Sequence, residues 1–262
     1  MCSRSKTLAM KLKPNARELL VNTKLCTSSK EYLQIFPSVG FNPDDLSLVK
    51  GSPSSRRYFL DRGTFHFSPS YWSFLTEYNR ALKQRNSLLR ENLSKQARHG
   101  KQSHANSLAG SMKNSLMVWE SQLQTQGSKI ILQRLRFIHR LRRLLRQIYQ
   151  HWMGDAESVE IQYSSSIGKV EGNLWNDALN DSTHSEQLYE QISQLYGQAL
   201  QKNQEREYRQ ATTVIGPHRD DLELHLWGKP LKAYGSQGQQ RTAVLALKLA
   251  EAHLYYEQYT EY

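Results

Sequence analysis

Cysteine is nearly absent: Cys2 and Cys26 are the only two in 262 residues, too few and too plainly placed for a disulfide framework or a metal site. No apolar run approaches the roughly 18 residues of a membrane span. The N-terminus offers only Leu8-Ala9-Met10 between basic residues, which is no signal peptide. No G-x-x-x-x-G-K-[ST] loop occurs anywhere, so the sequence carries no cradle of that kind for nucleotide phosphates. No internal repeat is apparent. A reducing, cytoplasmic setting is the expectation, with neither membrane nor metal ion among the partners.

Acidic residues are also scarce, 24 against 35 lysines and arginines. The resulting net charge of +11 and pI near 9.6 favour a polyanionic partner, although basicity alone is a weak pointer. The length suits one large domain or two small ones with an ample core.

Residues 1 to about 50 read as short strands and turns, with Leu8–Leu12 and Glu18–Val21 separated by a turn at Pro14-Asn15. Gly51 reads as a turn, Ser52 as an N-cap and Pro53 as the first residue of a helix that carries Arg56-Arg57 one turn in. That arginine pair is either a solvated or salt-bridged face or a phosphate contact. Helices follow over Ser70–Leu93, Ser111–Gln126 and Lys129–Trp152, with a polar connection from His99 to Gly110. On a helical wheel Ile131, Leu135, Ile138, Leu141, Leu145, Ile148 and Trp152 share one broad arc. Lys129, Arg136, Arg140 and Arg143 fall within about 60° of each other on the opposite side. Arg134, Arg142 and Arg146 are read as charge at the margins. Like charges on one face repel, so this face either meets acids on a neighbouring helix or touches a polyanion.

The remainder alternates. A strand is expected at Val159–Tyr163, then a Ser/Gly turn and an amphipathic helix over Glu186–Glu207 that packs back as an antiparallel arm. A strand at Thr212–Ile215 would end in the tight loop Gly216-Pro217-His218-Arg219-Asp220-Asp221, followed by a strand over Leu222–Trp227 and a hairpin turn at Gly228-Lys229. Last comes Ser236-Gln237-Gly238-Gln239-Gln240-Arg241, opening a helix through Ala243–Ala250. Ser236 is a good N-cap, and the N–H groups of Gln237, Gly238 and Gln239 would point outward. Such an end binds anions, phosphate above all, unless it is an ordinary capped helix start.

The arginine-pair stretch, the Gly216–Leu222 loop and the Ser236–Arg241 helix start, in this order around a helical arm containing Tyr78–Asn86, resemble the bacterial RecF family. These are DNA replication and recombinational-repair proteins of the ABC ATPase class, and the resemblance covers essentially the whole chain. It implies an α+β fold: a partial ABC/SMC-type ATPase head of the P-loop NTPase class, with an inserted antiparallel helical arm. The head would comprise residues 1–67 and 211–262 and the arm residues 68–210. The Ser236 motif would be the ABC signature, with Ser236, Gly238 and Gln239 contacting the ATP of a partner subunit in an ATP-dependent homodimer. His218 receives no catalytic role, only a structural hydrogen bond.

The resemblance further implies a weak DNA-dependent ATPase that uses ATP and Mg²⁺ and acts in the damage (SOS) response. It would bind DNA at single-strand/double-strand junctions without sequence preference, together with RecO and RecR. Arg56, Arg57, Lys129, Arg136, Arg140 and Arg143 are the candidate DNA contacts. Two departures qualify this. The Walker A loop expected ahead of the first residues and the acidic Walker B strand expected after the last helix are not in the sequence, as in a frame cut short at both ends. The chain alone is therefore expected neither to hold nor to hydrolyse ATP. The signature helix, apolar nearly all round, is expected to leave a face exposed. The competing readings are a non-enzymatic basic helical module that binds DNA or protein, and an inert gene fragment.

Overall fold

The computed structural model describes residues 7–14, 16–26, 35, 37–99, 110–154, 157–169 and 182–260. In chain order these form β1 (Leu8–Lys13), β2 (Ala16–Val21) and β3 (Lys24–Leu25), then a 3₁₀ turn (Pro43–Leu46) and α1 (Ser47–Lys50). The helices α2 (Pro53–Phe67), α3 (Tyr71–His99) and α4 (Gly110–Met153) follow, then β4 (Val159–Ser164) and α5 (Ser182–Gln210). The chain closes with β5 (Asp221–Leu226), β6 (Lys229–Pro230), α6 (Leu231–Tyr234) and α7 (Gln237–Thr260). The architecture is mixed helix and sheet, as expected. The connection at 100–109 and Asn15 of the expected turn lie outside the described residues, whereas the expected Ser/Gly turn follows β4, with Gly168 N–H donating to the Ser165 carbonyl (3.3 Å).

The longest element departs from expectation. Two helices broken near Gly127-Ser128 were anticipated, but α4 runs unbroken for 44 residues, about 66 Å at 1.5 Å per residue. Gly127 costs the helix about 1 kcal/mol against alanine, and packing explains its presence. A Cβ at Gly127 would lie 2.5 Å from Cε2 of Tyr196, so the glycine lets α5 approach α4 rather than ending it. The first half of α4 joins α3 and α5 around Tyr71, Tyr78, Leu123, Ile131, Leu188, Ile192 and Tyr196. The second half enters another core with α2, β4, β5 and α7, around Phe59, Leu60, Phe137, Leu141, Leu145, Leu224, Val244 and Leu247. One rigid helix thus belongs to both cores.

β4 pairs antiparallel with β5, Val159 opposite Leu226 and Ser164 opposite Asp221, and β6 extends the sheet. Trp227 (φ 49°) and Gly228 (φ 72°) both take the left-handed conformation that a two-residue hairpin turn demands. A separate meander, β1-β2-β3, sits at the N-terminal end with Met10, Leu12 and Leu25 exposed.

Thr212–Ile215, expected as a strand, is irregular. Its backbone groups are taken by side chains instead of a neighbouring strand: Thr213 N–H donates to Asn86 Oδ1 (2.8 Å) and Val214 N–H to Glu207 Oε1 (2.8 Å). Ser52 occupies the N-cap position of α2 with Pro53 at the first helical residue, but its hydroxyl meets Ser54 Oγ and makes no cap bond. Within α7 one face is buried through Ala243, Leu247, Ala250 and Leu254. The other leaves Leu249 and Tyr256 exposed beside Trp152, in keeping with the expected uncovered face. Among the described residues no helix is long and apolar enough to cross a membrane.

Candidate functional site

The start of α7 has the geometry its residue types call for. Ser236 Oγ accepts the N–H of Gln239 (3.2 Å), and Gln239 Oε1 accepts the N–H of Ser236 (2.9 Å), a reciprocal capping box. Gln240 is buried, and its Nε2 donates to the carbonyls of Leu231 and Gly235, which fixes the incoming turn from below. Ser236, Gln237 and Gly238 are exposed, and a Cβ at Gly238 would meet nothing nearer than Ser236 Oγ at 3.8 Å. The backbone is therefore open to a ligand there. The N–H groups of Gln237 and Gly238 precede the first intrahelical bond, which Gln240 N–H makes to Ser236 O.

Gln239 differs from expectation. Its N–H is spent on the cap and its Nε2 donates to Glu157 Oε1 (3.0 Å), while Glu157 Oε2 accepts the Tyr149 hydroxyl (2.8 Å). Gln239 thus braces the helix start against Glu157, in the link between α4 and β4, and through it against Tyr149 of α4. The outward groups are Ser236 Oγ and two N–H groups, a set that fits a phosphate oxygen and its negative charge. Among the described residues no group of three or more His, Cys, Asp or Glu side chains is gathered as for a metal ion.

The loop 216–221 is the hub between the two cores. Gly216 has φ +117°, and a Cβ there would lie 2.3 Å from both Tyr78 Oη and Tyr196 Oη, so only glycine fits. His218 lies between the Tyr78 hydroxyl (2.6 Å from Nδ1) and the Thr213 carbonyl (3.2 Å from Nε2). A carbonyl can only accept, so Nε2 donates and Nδ1 accepts the tyrosine proton. Burial, joined by the charges of Arg219, Arg57 and Arg134 and opposed by the Thr213 hydrogen bond, pushes the imidazole down to about 4, so it is neutral at neutral pH. Its bonds are structural, the role anticipated for it.

Asp220 is fully buried and accepts the N–H (2.7 Å) and hydroxyl (2.8 Å) of Ser166 and the hydroxyl of Tyr163. Burial raises its pKa, with Arg134 opposing. Asp221 receives a two-point bond from Arg56, Nε and Nη2 each at 2.7 Å.

This corrects one candidate. Arg56 is 6% exposed and committed to Asp221 and the Gly51 carbonyl, so its salt-bridged reading holds and it is not an outward phosphate contact. Arg57 is half-buried and spends one Nη on the Asp220 carbonyl (3.0 Å).

On α4, Lys129 lies over the Phe74 ring (5.1 Å), Arg136 donates to Ser185 Oγ and Arg140 stacks over Phe67 (4.5 Å), while Arg143 is exposed. None of the four has a carboxylate partner among the described residues. The neighbouring-acid alternative for this face thus finds no support there.

Arg134 was misplaced by sequence reasoning. It is 1% exposed, not marginal, and donates to Asp61 Oδ1 (2.7 Å), to the Tyr71 hydroxyl (3.0 Å) and to the Pro217 carbonyl (2.7 Å). The signal was available: at 100° per residue Arg134 lies about 140° from Lys129, in the middle of the apolar arc rather than on its edge. Arg142 lies in the same arc and donates to the Ile161 carbonyl (2.7 Å). Arg85, fully buried between Glu120 and Glu207, with its Nη1 on Thr213 Oγ1 (2.9 Å), was likewise unforeseen.

No family model matches the chain. It is 38% identical over 239 residues to the DNA replication and repair protein RecF of Natranaerobius thermophilus, an alignment covering 91% of this chain and 56% of that protein. It is 33% identical over 262 residues to RecF of Desulforamulus reducens, covering 100% of this chain and 62% of the relative. Among solved structures, the recombination mediator protein RecF with ATPrS, in the RecFOR pathway, superposes with a TM-score of 0.74 at 28% identity. That match takes in 96% of this chain and 60% of the other. The corresponding structure with ATP gives 0.71 at 28% identity. The chain spans about three fifths of the length of the curated relatives it matches. With this fold, this helix start and this loop, the chain is similar to RecF over its own length and shares the mixed helix-and-sheet fold of the RecF structures over about three fifths of their chain.

Proposed function

We propose that this chain supplies the DNA-contacting arm and the signature half-site of a RecF-type DNA replication and repair protein. The observation that carries the reading is the start of α7: a capped helix end, braced by Gln239 and Gln240, that exposes Ser236 Oγ and two N–H groups over a glycine. ATP, when bound, supplies the polyphosphate whose terminal oxygens this end would hold. Ser236 and Gly238 would provide the contact and Gln239 its positioning.

The nucleotide itself would be held by a partner subunit, because this sequence contains no phosphate-cradling loop. The chain alone would then neither bind ATP tightly nor hydrolyse it, and Mg²⁺ would be held with the nucleotide. The partners in this reading are DNA at single-strand/double-strand junctions, RecO, RecR and a second RecF-type subunit. Contact with DNA would be to backbone phosphates, independent of sequence and sensitive to salt. Of the four candidates on α4, Arg140 and Arg143 are exposed and Lys129 and Arg136 half-buried.

A titration of fluorescent gapped DNA compares the chain with its Arg140→Glu/Arg143→Glu variant. Weaker binding by the variant, equal for unrelated sequences, supports the reading. Equal affinity removes the arm from the DNA site.

A further inference from the structure

In sequence the motif Gly216-Pro217-His218-Arg219-Asp220-Asp221 has a slight acidic excess, one arginine against two aspartates. The fold sorts those charges by direction. Asp220 turns inward to Ser166 and Tyr163, and Asp221 is neutralised by Arg56. Both acids are consumed inside. The motif's base points out: Arg219 is exposed, and among the described residues its guanidinium is held by the Thr213 carbonyl, 3.4 Å from one Nη.

Arg57, from α2, is anchored in the same manner by the carbonyl of Asp220 (3.0 Å). A carbonyl orients a guanidinium without neutralising it. Among the described residues neither arginine lies within ion-pair distance of a carboxylate, so each keeps its full charge and most of its N–H fork. The two act together on His218, whose neutrality means that it adds nothing to the local charge.

We propose that Arg57 and Arg219 form a phosphodiester subsite where α2 meets the 216–221 loop, each holding a backbone phosphate of duplex DNA. Pre-oriented guanidinium forks suit phosphate oxygens, and their charge displaces counterions from the duplex. The assignment rests on the DNA-binding reading above, but it places the contact at the foot of the arm and adds a residue from a loop otherwise occupied with structure.

The test is the salt dependence of binding to labelled duplex DNA between about 50 and about 200 mM salt, for four forms of the chain. These are wild type, Arg219→Gln, Arg57→Gln/Arg219→Gln and Arg57→Lys/Arg219→Lys. Each lost phosphate contact lowers the slope of log K against log salt by about 0.9. The single variant should therefore lose about 0.9 and the glutamine pair about 1.8, with affinity falling on the order of tens-fold near 0.1 M salt. The lysine pair keeps the charge and should keep the slope. Because Arg219 is exposed, its single variant gives an answer even if the pair fails to fold.

Unchanged slopes in a chain that binds DNA overturn the subsite and leave the arm reading intact. A wild-type chain that binds no duplex at the lowest salt overturns both. Displacement of the duplex by inorganic tripolyphosphate at equal phosphate concentration, from wild type but not from Arg219→Gln, identifies a free-polyphosphate site and overturns the assignment to DNA.

Discussion

Replacing Arg134 by methionine tests how the arm is joined to the signature side. The guanidinium ties three parts of the chain: Asp61 of α2 (2.7 Å from Nη2), Tyr71 of α3 (3.0 Å from Nε) and the Pro217 carbonyl (2.7 Å from Nη1). Removing one partner of a buried ion pair costs about 3–5 kcal/mol, because the other is left uncompensated. Asp61 is 25% exposed, so water can recover part of that, and about 3 kcal/mol is expected. At about 2–4 °C per kcal/mol for a chain of this size, the midpoint of thermal unfolding should drop by about 6–12 °C, followed by circular dichroism. Adding Asp61→Asn should cost about 1–3 kcal/mol less than the sum of the two single changes, since the carboxylate no longer needs its partner. A midpoint for Arg134→Met within about 2 °C of wild type, or strict additivity, would refute the claim that this residue pins the arm to the loop.

Other consequences follow from the same geometry. Gly216→Ala adds a Cβ 2.3 Å from two tyrosine hydroxyls at φ +117° and should lower stability in urea by about 2–4 kcal/mol. A cost below about 1 kcal/mol would mean that the tyrosines give way freely. His218 is held at about 4 against an ordinary 6.5. The unfolded chain therefore binds the proton first, and stability is lost as pH falls from 6.5 towards 4, by up to about 3 kcal/mol. In urea titrations across that window, His218→Gln should lose less than wild type, and parallel profiles would refute the assignment. Ser236→Ala removes the cap and should cost about 1 kcal/mol in the same assay without changing the helical circular dichroism.

Much of the frame was legible because it rests on local chemistry. The β1, β2, β4 and β5 strands, the Ser236 cap and the long helices follow from alternation, turn residues and helical spacing, and the hairpin turn falls at Trp227-Gly228, one residue before the expected Gly228-Lys229. What escaped was set by tertiary contact. Gly127 reads as a helix break until Tyr196 is placed against it, and Thr212–Ile215 reads as a strand until Asn86 and Glu207 claim its N–H groups. The arginines were hardest, since a guanidinium looks alike in sequence whether it faces water or a buried carboxylate. Arg56, Arg85 and Arg134 proved to be internal fastenings, whereas Arg57, Arg143 and Arg219 carry charge outward. Arg134 and Arg142 could have been foreseen from their places on the wheel, and Arg85 from its position three residues after Leu82 and four before Leu89, at the apolar seam of α3.

The central claim is that the start of α7 acts on ATP held by another subunit. The direct measurement is the association of this chain with the full-length RecF of Natranaerobius thermophilus, followed by analytical ultracentrifugation with and without ATP. A complex that forms only with ATP, and is lost in Ser236→Arg, is the predicted result. An association indifferent to ATP or to Ser236→Arg, or tight ATP binding by this chain alone, would contradict the account.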